Sequence, residues 1–359
     1  LTLVQPLFRL DRWHDYQKGK ALKNQAEANF HFEQQAFYVR ITSVYFEVLR
    51  AKENLQFRNS EKSAIKSQMT QIQYRFKAGL AADTDVQEAK AAFDLVTVQQ
   101  LIAQQEMDLA LEELQTVTGI SLNKVAPLKA ATPILPPSPE SITDWTNIAL
   151  KHNPLLSASS HAMQAAQRDS QAKSSGHLPT LDLVGNYNDT DRYIQTSEGE
   201  LSASSISLKL EVPIYSGGGV SASRRQAKAL YYQAREEYNF EKRQLIQSSR
   251  NLYRLVNTDI SRVQAQAQGI HSMKAALTAI EAGYNNGTRT ILDVLNAQNT
   301  LYAAKRDYAN ARFDYILDSL KLKQVAGILK EEDILNVNNW LCGSEDRKPA
   351  AVTEPGCNF

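Results

Sequence analysis

The chain has 359 residues, and 40 Lys+Arg against 39 Asp+Glu leave a net charge of +1, so it offers no global basic field to nucleic acid. No stretch approaches the roughly 18 consecutive apolar residues of a membrane-crossing helix. That excludes a helical membrane protein but leaves a β-barrel open, because barrel strands carry weak individual signals.

A repeat organises the rest. Pro6-Leu7-Phe8 returns as Pro213-Ile214-Tyr215, Gly79…Asp85-Val86 as Gly287…Asp293-Val294, and Val117-Thr118-Gly119-Ile120 as Val325-Ala326-Gly327-Ile328, a period of about 208 residues. Taken in chain order, the first residues read as a strand. Leu1 is already inside it, with no initiator Met and no signal pattern, so by repeat logic ~50 or more residues are expected upstream. From about Asp11 to Lys77 one glycine and no proline interrupt apolar residues spaced by three and four. At ~1.5 Å per residue this predicts a helix of roughly 100 Å. The turn at Gly79 reverses the chain into a shorter helix. Val48, Leu55 and Met69 form a rough seam against Phe93, Met107 and Leu114, interrupted by Lys62.

Pro127 to Pro139 reads as a linker between repeats, followed by helices from about Ser141 to Lys151 and from Pro154 to Ser175. Next, Leu181, Leu183, Gly185 and Tyr187 alternate with polar or small residues. Ile206, Leu208, Leu210, Val212 and Ile214 then lie opposite Ser207, Lys209 and Glu211. This period of two runs for the roughly 9–11 residues that a membrane strand needs. The polar, glycine-punctuated stretch from Asn188 to Ser205 suits an exposed loop. A second long helix is predicted from about Gly219 to Ala282. Its seam Val256, Val263, Ile270 and Leu277 is answered across the turn by Leu301, Tyr308, Tyr315 and Leu322, an antiparallel coiled-coil hairpin.

The chain thus divides into a first repeat (1–126), a Pro-rich linker with a short helix (127–153), a second repeat (154–330), and a C-terminal segment with a polar tail (331–359). The tail from Cys342 to Phe359 is expected to be mobile. It holds the only two cysteines, Cys342 and Cys357, too few ligands for zinc. An extracytoplasmic disulfide between them and two free thiols are equally compatible with the sequence. Two repeats give four strands, of which this chain keeps three. Four strands cannot close a barrel and open edges are not tolerated in lipid, so membrane strands would require oligomerisation. Two copies would make eight strands and three would make twelve; the residues alone do not choose.

Nothing points to catalysis. His14, His31, His152, His161, His177 and His271 are scattered without metal spacing, and no P-loop, nucleophile elbow or HExxH motif occurs. No cofactor or metal is expected. Gly217 and Gly218, with Pro6 and Pro213, mark strand-to-helix junctions where glycine permits a sharp change of direction. The two hairpin turns are the best candidate for a site. Asp85 and Asp293 can simply begin helices, where acidic residues are favourable. Alternatively, the Arg289 fork suits a carboxylate such as Asp85, and the Tyr284 hydroxyl can donate to the same group.

Several motifs in order resemble the TolC family of outer-membrane channels. These are Tyr74-Arg75-Phe76 with Gly79-Leu80 and Thr84-Asp85-Val86-Gln87, His177-Leu178-Pro179-Thr180-Leu181-Asp182-Leu183, Val212-Pro213-Ile214-Tyr215 with Gly217-Gly218, Ala282-Gly283-Tyr284 with Gly287-Thr288-Arg289-Thr290, and Asp293-Val294-Leu295. The resemblance implies a mainly α protein with a membrane β-barrel part. A duplicated strand-strand-long helical hairpin unit would assemble as a homotrimer, with a twelve-stranded barrel in the lipid of a Gram-negative outer membrane continued by a periplasmic α-helical barrel. It implies a passive exit duct for type I secretion or multidrug efflux. Its partners would be a periplasmic adaptor, docking around Gly79, Leu80, Gly287 and Thr288, and an inner-membrane ABC, RND or MFS transporter. It also implies a gate at the helical tip, with Arg289 and Tyr284 of the inner hairpin tied to Thr84 and Asp85 of the outer one. The family's constriction carries two aspartates one helical turn apart. Here they are Asp293 and Asn296, so a trimer would present three carboxylates instead of six. A soluble coiled-coil scaffold without a pore is the competing reading.

Overall fold

The computed structural model describes residues 1–122, 125–129, 132–194 and 197–342, without side-chain detail for 190–201. The elements run β1 (Thr2–Phe8), α1 (Leu10–Lys77), α2 (Asp83–Thr118), α3 (Ile142–His152), α4 (Pro154–Ser174), β2 (Thr180–Ile194), β3 (Ser197–Glu211), α5 (Gly219–Asn285), α6 (Ile291–Val325) and α7 (Glu331–Asn339). The expected long helices are continuous over 68 and 67 residues, as their lack of internal proline allows. By contact the chain divides into two units that cut across the repeats. One joins Leu1–Glu33 to His152–Ile246, the other Gln34–Lys151 to Gln247–Phe359.

In the first unit the strands form an antiparallel sheet of order β1-β2-β3. Leu181 pairs with Leu210, Leu183 with Leu208 and Gly185 with Ile206, while Asp182 faces Lys209 and Val184 faces Ser207. Directly paired residues share a face, so one face is apolar and the other largely polar. The apolar face is bare: Ile206 is 83% exposed and Leu208 and Leu210 nearly two-thirds, at 64% and 65%.

The strands are 15 residues each and pair continuously, Asn188 with Ala203, Asp189 with Ser202 and Thr190 with Leu201. The loop expected from Asn188 to Ser205 is therefore corrected to strand up to Ile194 and again from Ser197. Backbone pairing sustains a hairpin beyond its apolar band, and polar side chains only change what it faces. Pro6 lies inside β1 beside an irregularity in register, where an edge strand accommodates it. Pro213 follows β3, and Gly217 and Gly218 take φ of 58° and 81° before α5 begins. An Arg9–Asp182 ion pair of 3.1 Å ties the entry of α1 to β2, and Lys18–Asp169 of 2.7 Å ties α1 to α4. Ala158, Ala165 and Ala172 are buried seven apart on α4, as are Ala21 and Ala28 on α1, so small side chains carry this packing.

The second unit holds the large core. Phe46, Val48 and Leu49 of α1 meet Leu114 of α2, Trp145 of α3, Val256 of α5, Phe313, Ile316 and Leu322 of α6, and Val337 of α7. α7 was not foreseen; its signal is the acidic run Glu331-Glu332-Asp333 in its first turn. The second-hairpin seam is buried most fully at Val256, Val263, Leu301, Tyr315 and Leu322. The first hairpin keeps Val48 and Leu114 of the expected seam fully buried, but towards the turn other residues take the most buried positions. Ile65 and Ile72 are buried near the turn in one cluster with Ala89 and Val96 of α2, and Ala89, Val96, Ala103 and Ala110 are buried at a spacing of seven along α2. Alanine and valine leave room for close helix approach, so Phe93 and Met107 end up half-buried beside them.

The linker is clamped twice by one device. The Tyr45 hydroxyl donates to the Ala126 carbonyl and accepts from its N–H, both at 3.0 Å. The Tyr315 hydroxyl does the same to Leu135, at 2.8 and 2.9 Å. Tyr315→Phe leaves the Leu135 N–H without its partner and is expected to cost ~1–3 kcal/mol. A chemical-denaturation midpoint identical to wild type would refute the clamp. The linker also meets the C-terminal segment, with Cys342 N–H donating to the Pro127 carbonyl and Lys129 N–H to that of Trp340, both at 2.8 Å. Cys342 is buried there, whereas Cys357 and the rest of the tail beyond 342 lie outside the described residues.

Candidate functional site: the two hairpin turns

Both turns belong to the second unit and repeat one construction. Gly79 and Gly287 take φ of 75° and 74°, the left-handed conformation that glycine adopts without steric cost. Gly79 N–H donates to the Phe76 carbonyl and Leu80 N–H to that of Arg75. In the second turn Gly287 N–H donates to Tyr284 and Thr288 N–H to Gly283. Each pair of bonds closes a Schellman cap, ending the long helix on a glycine. Leu80 and Thr288 are left exposed at the two reversals.

The shorter helices then start on their aspartates. Asp85 Oδ2 accepts from the Ala82 N–H at 3.2 Å. Asp293 Oδ2 accepts from the Thr290 N–H at 2.9 Å and its hydroxyl at 3.0 Å. The Thr290 backbone bond first, then its hydroxyl and nearby Arg289, hold the Asp293 carboxyl below its ordinary value. A lowered carboxyl stabilises above its unfolded value and loses that contribution as pH falls through the folded one. Asp293 therefore stays ionised at the tip through the neutral range. Next to each aspartate a valine points inward. Val294 is fully buried with Ile291 and Leu295, against Ile65, Ile72, Ala89 and Val96, with Val86 and Tyr284 packed on the cluster. The Asp-Val motif thus caps with one side chain and anchors the two hairpins together with the next.

Thr84 and Arg289 are exposed, and among the described residues neither Arg289 nor the Tyr284 hydroxyl is hydrogen-bonded within the chain. Asp85 and Asp293 both serve as helix starts here. Tyr284 instead lies under the Arg75 guanidinium, 4.9 Å from its ring centroid. Such a contact is worth ~0.5–1 kcal/mol at an exposed site. Sequence reasoning did not give Arg75 this role; its signal was a basic residue in the last turn of α1, where the helix dipole favours a cation. The stem of Arg289 crosses Gly283 so closely that a Cβ there would sit 2.8 Å from Arg289 Cγ, which explains glycine before Tyr284. Asn296 is exposed one turn after Asp293 on α6. No group of three or more metal-binding side chains occurs among the described residues.

The pattern of the family described as "Outer membrane efflux protein" matches residues 1–120 and 145–328. The outer membrane protein TolC of Vibrio cholerae is 35% identical over 345 residues, covering 95% of this chain and 79% of that protein. The alkaline protease secretion protein AprF of Pseudomonas aeruginosa is 29% identical, covering 99% and 75%. In fold, the crystal structure of the outer membrane protein VceC from Vibrio cholerae superposes with a TM-score of 0.77 at 19% identity, covering 91% of this chain and 78% of that one. The family is one of transport proteins, and this chain, with its two hairpins and half-apolar sheet, belongs to the outer membrane efflux protein family of Gram-negative outer membranes.

Proposed function

We propose that this chain is the protomer of a trimeric exit duct whose strands complete a twelve-stranded barrel and whose hairpin tips form a gate. The observation that carries the reading is the sheet: three strands with an exposed apolar face and unpaired outer edges on β1 and β3. In lipid each unpaired backbone group costs several kcal/mol, of order 2–7, so the edges must be closed by further strands, which a barrel of four strands per protomer in three copies supplies. The exposed turn residues Thr84, Arg289 and Asn296, with Asp85 and Asp293, would line the tip of the assembly. A periplasmic adaptor would pack on the reversals at Gly79-Leu80 and Gly287-Thr288. The energy for transport would come from an inner-membrane transporter of the ABC, RND or MFS class, since no nucleotide-binding motif occurs here. The relative AprF is named for alkaline protease secretion, which supports type I secretion as one task.

Single-channel recording of the full-length protein, extracted with detergent from outer membranes, tests this reading. A small, discrete, cation-sensitive conductance is expected. Release from membranes without detergent and no conductance from folded protein would favour a coiled-coil scaffold instead. The tip chemistry gives a second expectation. Asn296→Asp doubles the carboxylates from three to six in a trimer. It should lower the divalent-cation concentration that half-blocks the channel about tenfold, a gain of ~1.4 kcal/mol. An unchanged block would remove Asn296 from the constriction.

A further inference from the structure

Far from the hairpin turns, a cluster of charges lies where α5 packs on α6 and α1, and none of it enters the proposed gate. Asp259 of α5 is 1% exposed. Its Oδ1 receives the Arg262 guanidinium at 3.0 Å, yet its Oδ2 is buried without any hydrogen-bond partner. From α6, Asp318 is also buried and is held by Lys321 at 2.8 Å, and Asp314 is held by Arg262 at 2.6 Å. From α1, Arg50 reaches Asp314 at 2.8 Å and is shared with Glu47 at 3.3 Å. Arg262 is thus shared between Asp259 and Asp314, Arg50 between Asp314 and Glu47, and Lys321 serves Asp318.

We propose that Asp259 and Asp318 form a single-proton binding site that couples α5 to α6, tightening this hairpin when the proton is bound and loosening it when the proton leaves. A buried carboxylate oxygen with no donor is costly, and the facing Asp318 carboxylate can only accept. One proton from solvent cures both defects: it gives Asp259 an O–H to donate to Asp318 and removes one of two facing negative charges. Four carboxylates, Glu47, Asp259, Asp314 and Asp318, face three cations, Arg50, Arg262 and Lys321, an excess of one negative charge that a single proton neutralises, and no group of three or more metal-binding side chains occurs among the described residues. Burial pushes the Asp259 carboxyl up to about 6 from its ordinary 3.8, Arg262 opposing and the Asp318 and Asp314 charges adding. A raised carboxyl stabilises fully below its unfolded value and loses that contribution as pH rises through the folded one. The hairpin should thus be tightest in acid and loosen as pH passes about 6.

The test follows thermal melting of the helical signal and the infrared C=O band of protonated carboxyl groups against pH, in the detergent-solubilised full-length protein. In the wild type, melting temperature should fall between about pH 5 and about pH 7, and a carboxyl band should vanish with the same midpoint. Asp259→Asn should retain the acid-side stability at all these pH values and lack that band. Asp318→Asn, which removes a charge that raises the Asp259 carboxyl, should move the band's midpoint to lower pH. Should either variant fail to fold, the wild-type band and the remaining variant still decide. No carboxyl band titrating near 6, or an Asp259→Asn profile that falls as the wild type does, would overturn the proposal.

Discussion

Arg289→Ser is expected to raise the resting open probability of the reconstituted channel about tenfold or more. Within one chain Arg289 is exposed and makes no hydrogen bond among the described residues, so its five donors are available to the outer-hairpin groups Thr84 and Asp85 in the proposed assembled tip. Each such exposed link is worth only ~0–1 kcal/mol. Three symmetry-related links lost together in the proposed trimer total up to ~3 kcal/mol, and about 1.4 kcal/mol of that already shifts a closed-to-open equilibrium tenfold. The Schellman cap and the buried Ile291, Val294 and Leu295 do not depend on this side chain, so the fold should be kept. Bilayer recordings in which the variant is as closed as wild type would sink the gate assignment while leaving the duct intact.

The second large effect lies in the core. Phe313 is 1% exposed, stacks on Phe46 with ring centroids 5.5 Å apart, and has the Arg50 guanidinium 5.9 Å from its ring. Phe313→Ala removes the ring and leaves a cavity between α6 and α1, at an expected cost of ~3–5 kcal/mol. Phe313→Leu keeps most of the volume and should cost less than half as much. Because a membrane protein need not unfold in one step, the readout is the guanidinium midpoint of the helical signal, compared among variants. Equal midpoints for wild type and Phe313→Ala would show that this cluster does not hold the unit together.

Much of this was legible along the chain. The repeat, the absence of proline and the seven-residue spacings announced four helices of two long hairpins, because helix continuity and amphipathic spacing are local properties. The glycine turns were equally legible, since only glycine at 79 and 287 takes the left-handed cap without strain. The apolar alternation of Ile206, Leu208 and Leu210 likewise announced a strand with one apolar face, while the bareness of that face is read only from the structure. Other features needed the folded chain. Strand length was misjudged because pairing of Asn188 with Ala203 is a cross-strand fact that polar side chains conceal. The first hairpin's seam was right at Val48 and Leu114 but missed Ala89, Val96, Ala103 and Ala110, whose burial comes from neighbouring helices and not from their own hydrophobicity. The Arg75–Tyr284 contact, the tyrosine clamps on the linker and the Asp259–Asp318 pair join residues from distant segments. By itself the sequence determined which segments are helix, turn and strand, because those depend on neighbours in the chain. Only the tertiary structure decided which charges meet out of water, because burial and partnership depend on residues far apart in sequence.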